Sequence, residues 1–159
     1  MESEIISDKK LALYKTMFWW LVFTQTACSQ IILWRGLPVY NRLKMDMYGA
    51  SDNDFAIAII VLIIMQLSYW FARPLQKRIN LKKMVVAGHF LLWIGELSLF
   101  FVQCLAAVVL FDRFYKQEFT AWKFFVLVVM LFSMYCYKDQ LKSLGNDMLD
   151  EGEIHRRMR

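Results

Sequence analysis

Charged residues are almost absent from four long stretches of this chain. Residues 17–34, 55–72 and 124–137 contain none, and residues 84–111 contain only Glu96. Runs of this length and polarity exclude an ordinary soluble domain, because charges recur along the surface elements of such domains. The overall composition agrees, since 58% of the residues are hydrophobic and 16% are aromatic.

Histidine and cysteine are also scarce. The chain has two histidines, His89 in an apolar run and His155 near the end of the chain, and this distance argues against a histidine-based metal or haem site. The three cysteines, Cys28, Cys104 and Cys136, are odd in number and form no C-x-x-C motif, so we expect buried packing residues and not disulfides. No metal, cofactor or catalytic residue is predicted.

The apolar runs predict the fold. Each run reaches or approaches the roughly 20 residues that a helix needs to cross the hydrocarbon core, and such segments must satisfy their backbone hydrogen bonds internally. We therefore predict an all-α, polytopic membrane protein, a four-transmembrane-helix bundle. The predicted parts are a cytoplasmic segment 1–16, a transmembrane domain 17–137 with spans at about 17–34, 55–72, 84–111 and 121–137, and a cytoplasmic polar tail 138–159.

Proline and glycine mark the predicted helix ends. The chain has two prolines and six glycines. Gly36 and Pro38 follow the first apolar run and predict a break there, while Pro74 predicts the end of the second span. The last helix is expected to continue past the membrane as far as Gly145.

The distribution of basic residues predicts the orientation. Lys and Arg number 13 in the two terminal segments and the middle loop, against six in the other two loops. The positive-inside rule therefore places both termini and the middle loop in the cytoplasm, an N-in/C-in topology. Because topology accounts for the net charge of +5, no nucleic-acid partner is predicted.

The middle loop concentrates five cations without an intervening acid. This cluster is a topology signal, and it is also a candidate contact for anionic lipid headgroups. Its members are Arg73, Lys77, Arg78, Lys82 and Lys83.

Glu96 lies near the middle of the third run, where an acid costs about 2.5–3.5 kcal/mol on insertion scales. The four apolar runs contain no other charge, so we expect a neutral, protonated acid that seeks polar neighbours. His89 and Gln103 lie seven residues to either side and share a helical stripe with it, since seven residues shift a helix face by only about 20°. Gln25, at the same predicted depth in the first span, is the nearest candidate neighbour.

These residues predict a polar seam inside the bundle. Its members are Glu96, His89, Gln103, Gln25, Gln30, Ser29 and Gln66. Gly88 and Gly95, also seven apart, predict the face on which the third helix packs closely against a neighbour. The seam has two interpretations, a set of hydrogen bonds that holds the bundle together, or a proton or cation site at Glu96 with His89 as its cytoplasmic relay.

The functional expectation is a non-enzymatic accessory, assembly or scaffold subunit that acts through other membrane proteins. The alternative is an oligomeric proton-coupled transporter or channel that uses Glu96. Membrane lipids and other membrane proteins, or further copies of the chain, are the expected partners. The expected location is the endoplasmic reticulum or a bacterial inner membrane. Arg157 and Arg159 match an endoplasmic-reticulum retrieval pattern, but a solvated, mixed-charge tail or a docking peptide is the favoured interpretation.

Overall fold

The computed structural model describes residues 2–44, 52–79, 83–115 and 121–149. They form four helices and no strand: α1 (Glu2–Lys44), α2 (Asp52–Gln76), α3 (Val85–Tyr115) and α4 (Ala121–Met148). The prediction of an all-helical chain is therefore confirmed for these residues. Lys82, His155 and the Arg157/Arg159 pattern lie outside them.

Three of the four helices are long and apolar enough to cross a membrane. They are α2, residues 85–111 of α3, and α4. Helix α1 is less apolar, because polar residues interrupt its apolar run at Gln25, Thr26, Ser29 and Gln30.

Two predicted helix ends are wrong. Helix α1 continues through Gly36 and Pro38 to Lys44, and α2 continues two residues beyond Pro74. A Cβ atom at Gly36 would lie 2.5 Å from Cδ2 of Leu105, so this glycine lets α1 approach α3 closely. Close packing, and not a helix break, is the role of Gly36.

The helices form an antiparallel bundle. Helix α3 packs most extensively against α4 and α1 against α2, with further contacts between α2 and α4 and between α1 and α3. We call the end where α2 begins the Asp52 end and the end where it finishes the Gln76 end. At the Asp52 end, Nζ of Lys123 lies 2.6 Å from Oδ1 of Asp52 and joins the starts of α4 and α2.

A continuous apolar core runs along the bundle axis. Its fully or almost fully buried members come from all four helices, and they include Phe18, Met65, Val102, Met134, Tyr137, Leu141 and Leu144. The outer surface is equally apolar: the exposed large side chains include Trp20, Trp34, Trp70, Trp93 and Phe125. Only 33–39% of the residues in the apolar windows of α2, α3 and α4 are buried, so most of each helix faces outward, as lipid-facing helices do.

The backbones of α3 and α4 come closest at two glycines. A Cβ atom at Gly88 would lie 2.8 Å from the carbonyl oxygen of Gly145, and a Cβ at Gly145 would lie 2.8 Å from that of Gly88. One turn away, the backbone N–H of Met84 donates to the carbonyl of Met148 at 3.0 Å. Gly95 also faces α4, where a Cβ would meet Leu141 Cβ at 3.4 Å, an ordinary contact distance.

This geometry predicts opposite effects for the same substitution at two glycines. Alanine gains up to about 1 kcal/mol over glycine in a helix interior, but overpacking costs about 1–3 kcal/mol. We expect Gly88→Ala to destabilise the bundle by about 1–2 kcal/mol, because the new methyl group meets backbone, and Gly95→Ala to be neutral or stabilising. Unfolding of the purified full chain in detergent, followed by circular dichroism, measures both. Equal shifts in the two variants would contradict the close approach at Gly88.

Candidate functional site

Glu96 lies on the outer surface of α3 and not inside the bundle. Its side chain is 61% exposed, and its Oε2 atom lies 2.7 Å from Nζ of Lys138 on α4. The expectation that no charged side chain lies near Glu96 is wrong. Glu96 and Lys138 form an ion pair that joins the two most extensively packed helices.

The register of α3 against α4 explains this pair. Lys138 follows the apolar run 124–137 directly, so the sequence interpretation assigned it to the polar tail. Helix α4 continues through it, and a Cβ at Gly95 would lie only 3.5 Å from Cα of Lys138. The sequence does contain a signal for this ion pair. Residues 96 and 138 are each 21 positions from residue 117 in the link between the two apolar runs, so an antiparallel helix pair places them side by side.

Two predicted seam residues, Gln25 and Ser29 of α1, are fully buried at the centre of the bundle. On the same stretch of α1, Thr26 accepts a hydrogen bond from the Tyr137 hydroxyl of α4 at 3.0 Å. Neither the Gln25 amide nor the Ser133 hydroxyl has a hydrogen-bond partner among the described residues. The centre of the bundle therefore retains polar groups with unused capacity to donate and accept.

The other predicted seam residues do not join this centre. Gln30 and Gln103 are exposed, and His89 and Gln66 are half-buried. Glu96 and Gln103 share an outward-facing stripe, as the seven-residue spacing predicts, but that stripe does not meet Gln25. The seam is thus divided into a buried part on α1 and α4 and an outer part on α3.

Sequence analysis missed a hydrogen-bond network between α2 and α4 at the Gln76 end. The Gln140 amide donates to Oε1 of Gln76 at 2.7 Å. The Gln76 amide donates in turn to Oγ of Ser143 at 3.0 Å and to Oδ2 of Asp147 at 2.7 Å. The spacing of residues 140, 143 and 147 places them on one helical face, which indicates the network once that face of α4 is placed against α2.

A second ion pair adjoins this network. Arg73 of α2 lies 3.7 Å from the Asp139 carboxylate of α4, with both side chains substantially exposed. The Arg73 guanidinium also donates to the Tyr69 hydroxyl and lies 5.5 Å from the centre of the Tyr69 ring. Consecutive residues of α4, Lys138 and Asp139, therefore pair with α3 on one side and with α2 on the other.

The cations of the middle loop lie on two different surfaces. Arg73, Lys77 and Lys83 line a cavity between α2 and α4. Arg78 lies instead at a groove between α1 and α2, beside Trp20 and other apolar residues. The predicted headgroup cluster is thus not a single patch.

Cysteines and metal-binding residues form no cluster in the described part of the chain. Cys28 and Cys136 are buried and Cys104 is exposed, and all three are free thiols. The expectation that all three cysteines are buried is therefore wrong for Cys104. Residues 2–44, 52–79, 83–115 and 121–149 hold no group of three or more His, Cys, Asp or Glu that could bind a metal ion.

The fold and these polar contacts define a helical bundle with at least three helices suited to a membrane. No protein-family model, no curated protein and no solved structure matches the chain. The function is therefore argued from the geometry of the chain itself.

A double-mutant cycle tests how the Glu96–Lys138 pair contributes to stability. The Glu96 side chain is 61% exposed on the outer face of a candidate span, where lipid or detergent and not bulk water surrounds it, so we expect a coupling above the roughly 1 kcal/mol of water-exposed ion pairs. The cycle uses Glu96→Gln, Lys138→Gln and the double variant, with unfolding measured in detergent. A parallel cycle at Arg73 and Asp139, whose atoms lie 3.7 Å apart, should give a smaller coupling. A coupling of about 1 kcal/mol or less would contradict a position of the pair away from bulk water.

Proposed function

We propose that this chain is a non-enzymatic integral membrane subunit that acts through other membrane proteins, as an accessory, assembly or scaffold component. The observation that carries the proposal is the position of the Glu96–Lys138 pair. An acid and an amine 2.7 Å apart on an otherwise apolar outer surface offer a polar contact to a neighbouring membrane helix. A pathway through the bundle would instead require these groups on its interior.

In this proposal α1 is the fourth span. Its outward face carries Trp19, Trp20 and Phe23, which are 42%, 65% and 64% exposed, while Phe18 and Val22 pack into the core. Helix α1 is thus apolar on both its outer and its inner face, as expected for a helix that lies between lipid and the rest of the bundle. Both termini are then cytoplasmic, on the side of the Gln76 end, where the basic residues of the middle loop cluster.

The described residues also favour a role in binding over a role in chemistry. The side chains of Gln76, Gln140, Ser143 and Asp147 are engaged with one another, and the exposed surface is dominated by aromatic and aliphatic groups. The endoplasmic reticulum and a bacterial inner membrane both suit this arrangement. A partner would contact the α3 and α4 surface around Glu96.

An oligomeric proton-coupled transporter or channel is the second candidate. The observation that favours it is the same outward placement of Glu96, because copies of the chain could surround a pathway with several carboxylates. In that case the ion pair with Lys138 would have to open for each proton taken up.

The number of spans has a direct test in the location of the two termini. With α2, α3 and α4 crossing the membrane, the termini lie on the same side only if α1 also crosses. We expect small epitope tags at residue 1 and residue 159 to show equal protease accessibility in sealed vesicles, on the cytoplasmic side. Opposite accessibility of the two tags would rule out the fourth span and leave a three-span protein.

Affinity purification of the tagged full chain in mild detergent tests the partner. We expect a second membrane protein in stoichiometric amount. Glu96→Gln should retain it within about twofold, because the amide still accepts a hydrogen bond from Lys138, whereas Glu96→Lys should lower its recovery about tenfold, because two ammonium groups then repel. Asp139→Lys, the same change in the adjacent ion pair facing α2, is the matched control and should retain the partner.

The same variants separate the two candidates. A proton-coupled transporter would lose uptake in reconstituted vesicles on Glu96→Gln while still assembling. Recovery of self-oligomers alone, together with that loss of uptake, would contradict the accessory role.

A further inference from the structure

A polar cavity of about 480 Å³ opens between α2 and α4 at the Gln76 end. This volume falls in the range of small-ligand sites, roughly 300–1,000 Å³. The polar residues that line it are Arg73, Gln76, Lys77, Lys83, Ser143 and Asp147. Its wall therefore combines three cations with one acid.

The uncharged part of the wall is held in place by hydrogen bonds. The Gln76 side chain is bonded at both ends, accepting from Gln140 at 2.7 Å and donating to Ser143 and Asp147 at 3.0 and 2.7 Å. Gln76 is only 7% exposed despite lying at the helix end. A polar wall that is ordered before a ligand arrives loses little side-chain entropy on binding.

Contacts outside the cavity wall also orient the Arg73 side chain. Its guanidinium donates to the Tyr69 hydroxyl and lies 3.7 Å from the Asp139 carboxylate, which leaves further N–H groups of the fork for another acceptor. Asp147, the single acid of the wall, already accepts from Gln76. The excess positive charge of the cavity is thus carried by Arg73, Lys77 and Lys83.

We propose that this cavity binds a phosphate group. Arginine and lysine together with neutral hydroxyl and amide groups form the donor set that phosphate oxygens accept from. The wall carries three cationic groups and one acid, and with Asp139 beside Arg73 counted the site still keeps an excess of positive charge, which suits a phosphate oxyanion. The cavity is larger than a bare phosphate needs, which favours a phosphorylated headgroup.

The source of the phosphate is either a phospholipid or a soluble phosphorylated compound. A lipid source rests on the membrane-spanning arrangement proposed above, in which the Gln76 end meets the cytoplasmic headgroup layer. A soluble source requires only the folded bundle. The chemistry at the wall is the same in both cases, so the two are separated by experiment.

The consecutive residues Lys77 and Arg78 provide a matched pair of variants for testing the cavity. Lys77 lines this cavity, whereas Arg78 lines the separate groove between α1 and α2. Both side chains are exposed, and Lys77→Gln and Arg78→Gln remove the same charge from the same loop. Diffuse attraction to an anionic surface would respond about equally to both changes, because the two residues are consecutive, with Cα atoms about 3.8 Å apart, and carry the same charge.

The experiment uses the purified full chain in nanodiscs of phosphatidylcholine that contain either phosphatidic acid or phosphatidylserine, with mole fractions adjusted to equal surface charge. Lipid retained after transfer to detergent is counted by native mass spectrometry. We expect phosphatidic acid to be retained over phosphatidylserine. Lys77→Gln should lower that retention about three- to fivefold, as loss of one partly exposed charge pairing does, and Arg78→Gln should leave it within about 1.5-fold.

A second arm uses soluble inorganic phosphate and glycerol phosphate with the chain in phosphate-free detergent. Lys77-dependent thermal stabilisation by these anions, without selective retention of phosphatidic acid, supports the site and assigns it to a soluble source. Equal effects of Lys77→Gln and Arg78→Gln, or no response to any of these probes, overturns the proposal. Affinity purification measures recovery of the partner protein separately from these lipid and phosphate measurements. A result that contradicts the accessory role is therefore distinguishable from one that contradicts the phosphate site.

Discussion

The close backbone approach of α3 and α4 at Gly88 and Gly145 is the constraint on which the polar contacts of this molecule depend. Because neither glycine has a side chain, the two backbones can meet at this point. The contact fixes the antiparallel register of α3 against α4 along their length. That register places Gly95 against Lys138 and brings Glu96 to the ammonium. A larger residue at either crossing glycine would separate the helices and the ion pair together.

Helix α4 connects the remaining parts of the bundle through this register. Lys138 pairs with α3 and Asp139 with α2, while the adjacent Tyr137 hydroxyl donates to Thr26 of α1. Three consecutive residues thus contact three different helices. Since successive residues point about 100° apart around a helix, these three contacts cover about 200° of the circumference of α4 at this level.

The sequence was sufficient to predict the helices but not their relations. The four apolar runs predicted an all-helical chain, because charge-free segments of that length leave no other way to satisfy the backbone. The partner of Glu96 was not predicted, because Lys138 follows the apolar run and was assigned to the polar tail, whereas α4 packs against the bundle as far as Met148. The helix break predicted at Gly36 was wrong for a related reason. The role of this glycine depends on its contact with Leu105 of α3, which the sequence does not reveal.

The grouping of the cavity residues could not be predicted from the sequence. Arg73, Lys77 and Lys83 were recognisable as a basic cluster, but nothing in their spacing separated them from Arg78. Only the packing of α2 against both α1 and α4 assigns these cations to two surfaces. Likewise, Gln76 and Ser143 are 67 residues apart in the chain and become partners through tertiary contact alone.

The register of α3 and α4 has a consequence for the surrounding bilayer. The apolar run of α3 begins at Met84, but the part of α4 beside residues 84–95 is its polar stretch from Lys138 onward. In the four-span arrangement, the apolar band on the α3 side therefore extends about 18 Å, or 12 residues of helical rise, further toward the cytoplasm than the band on the α4 side. Lipids beside α3 and lipids beside α4 would meet hydrophobic belts of unequal height, and the leaflet must tilt or thin to follow the step.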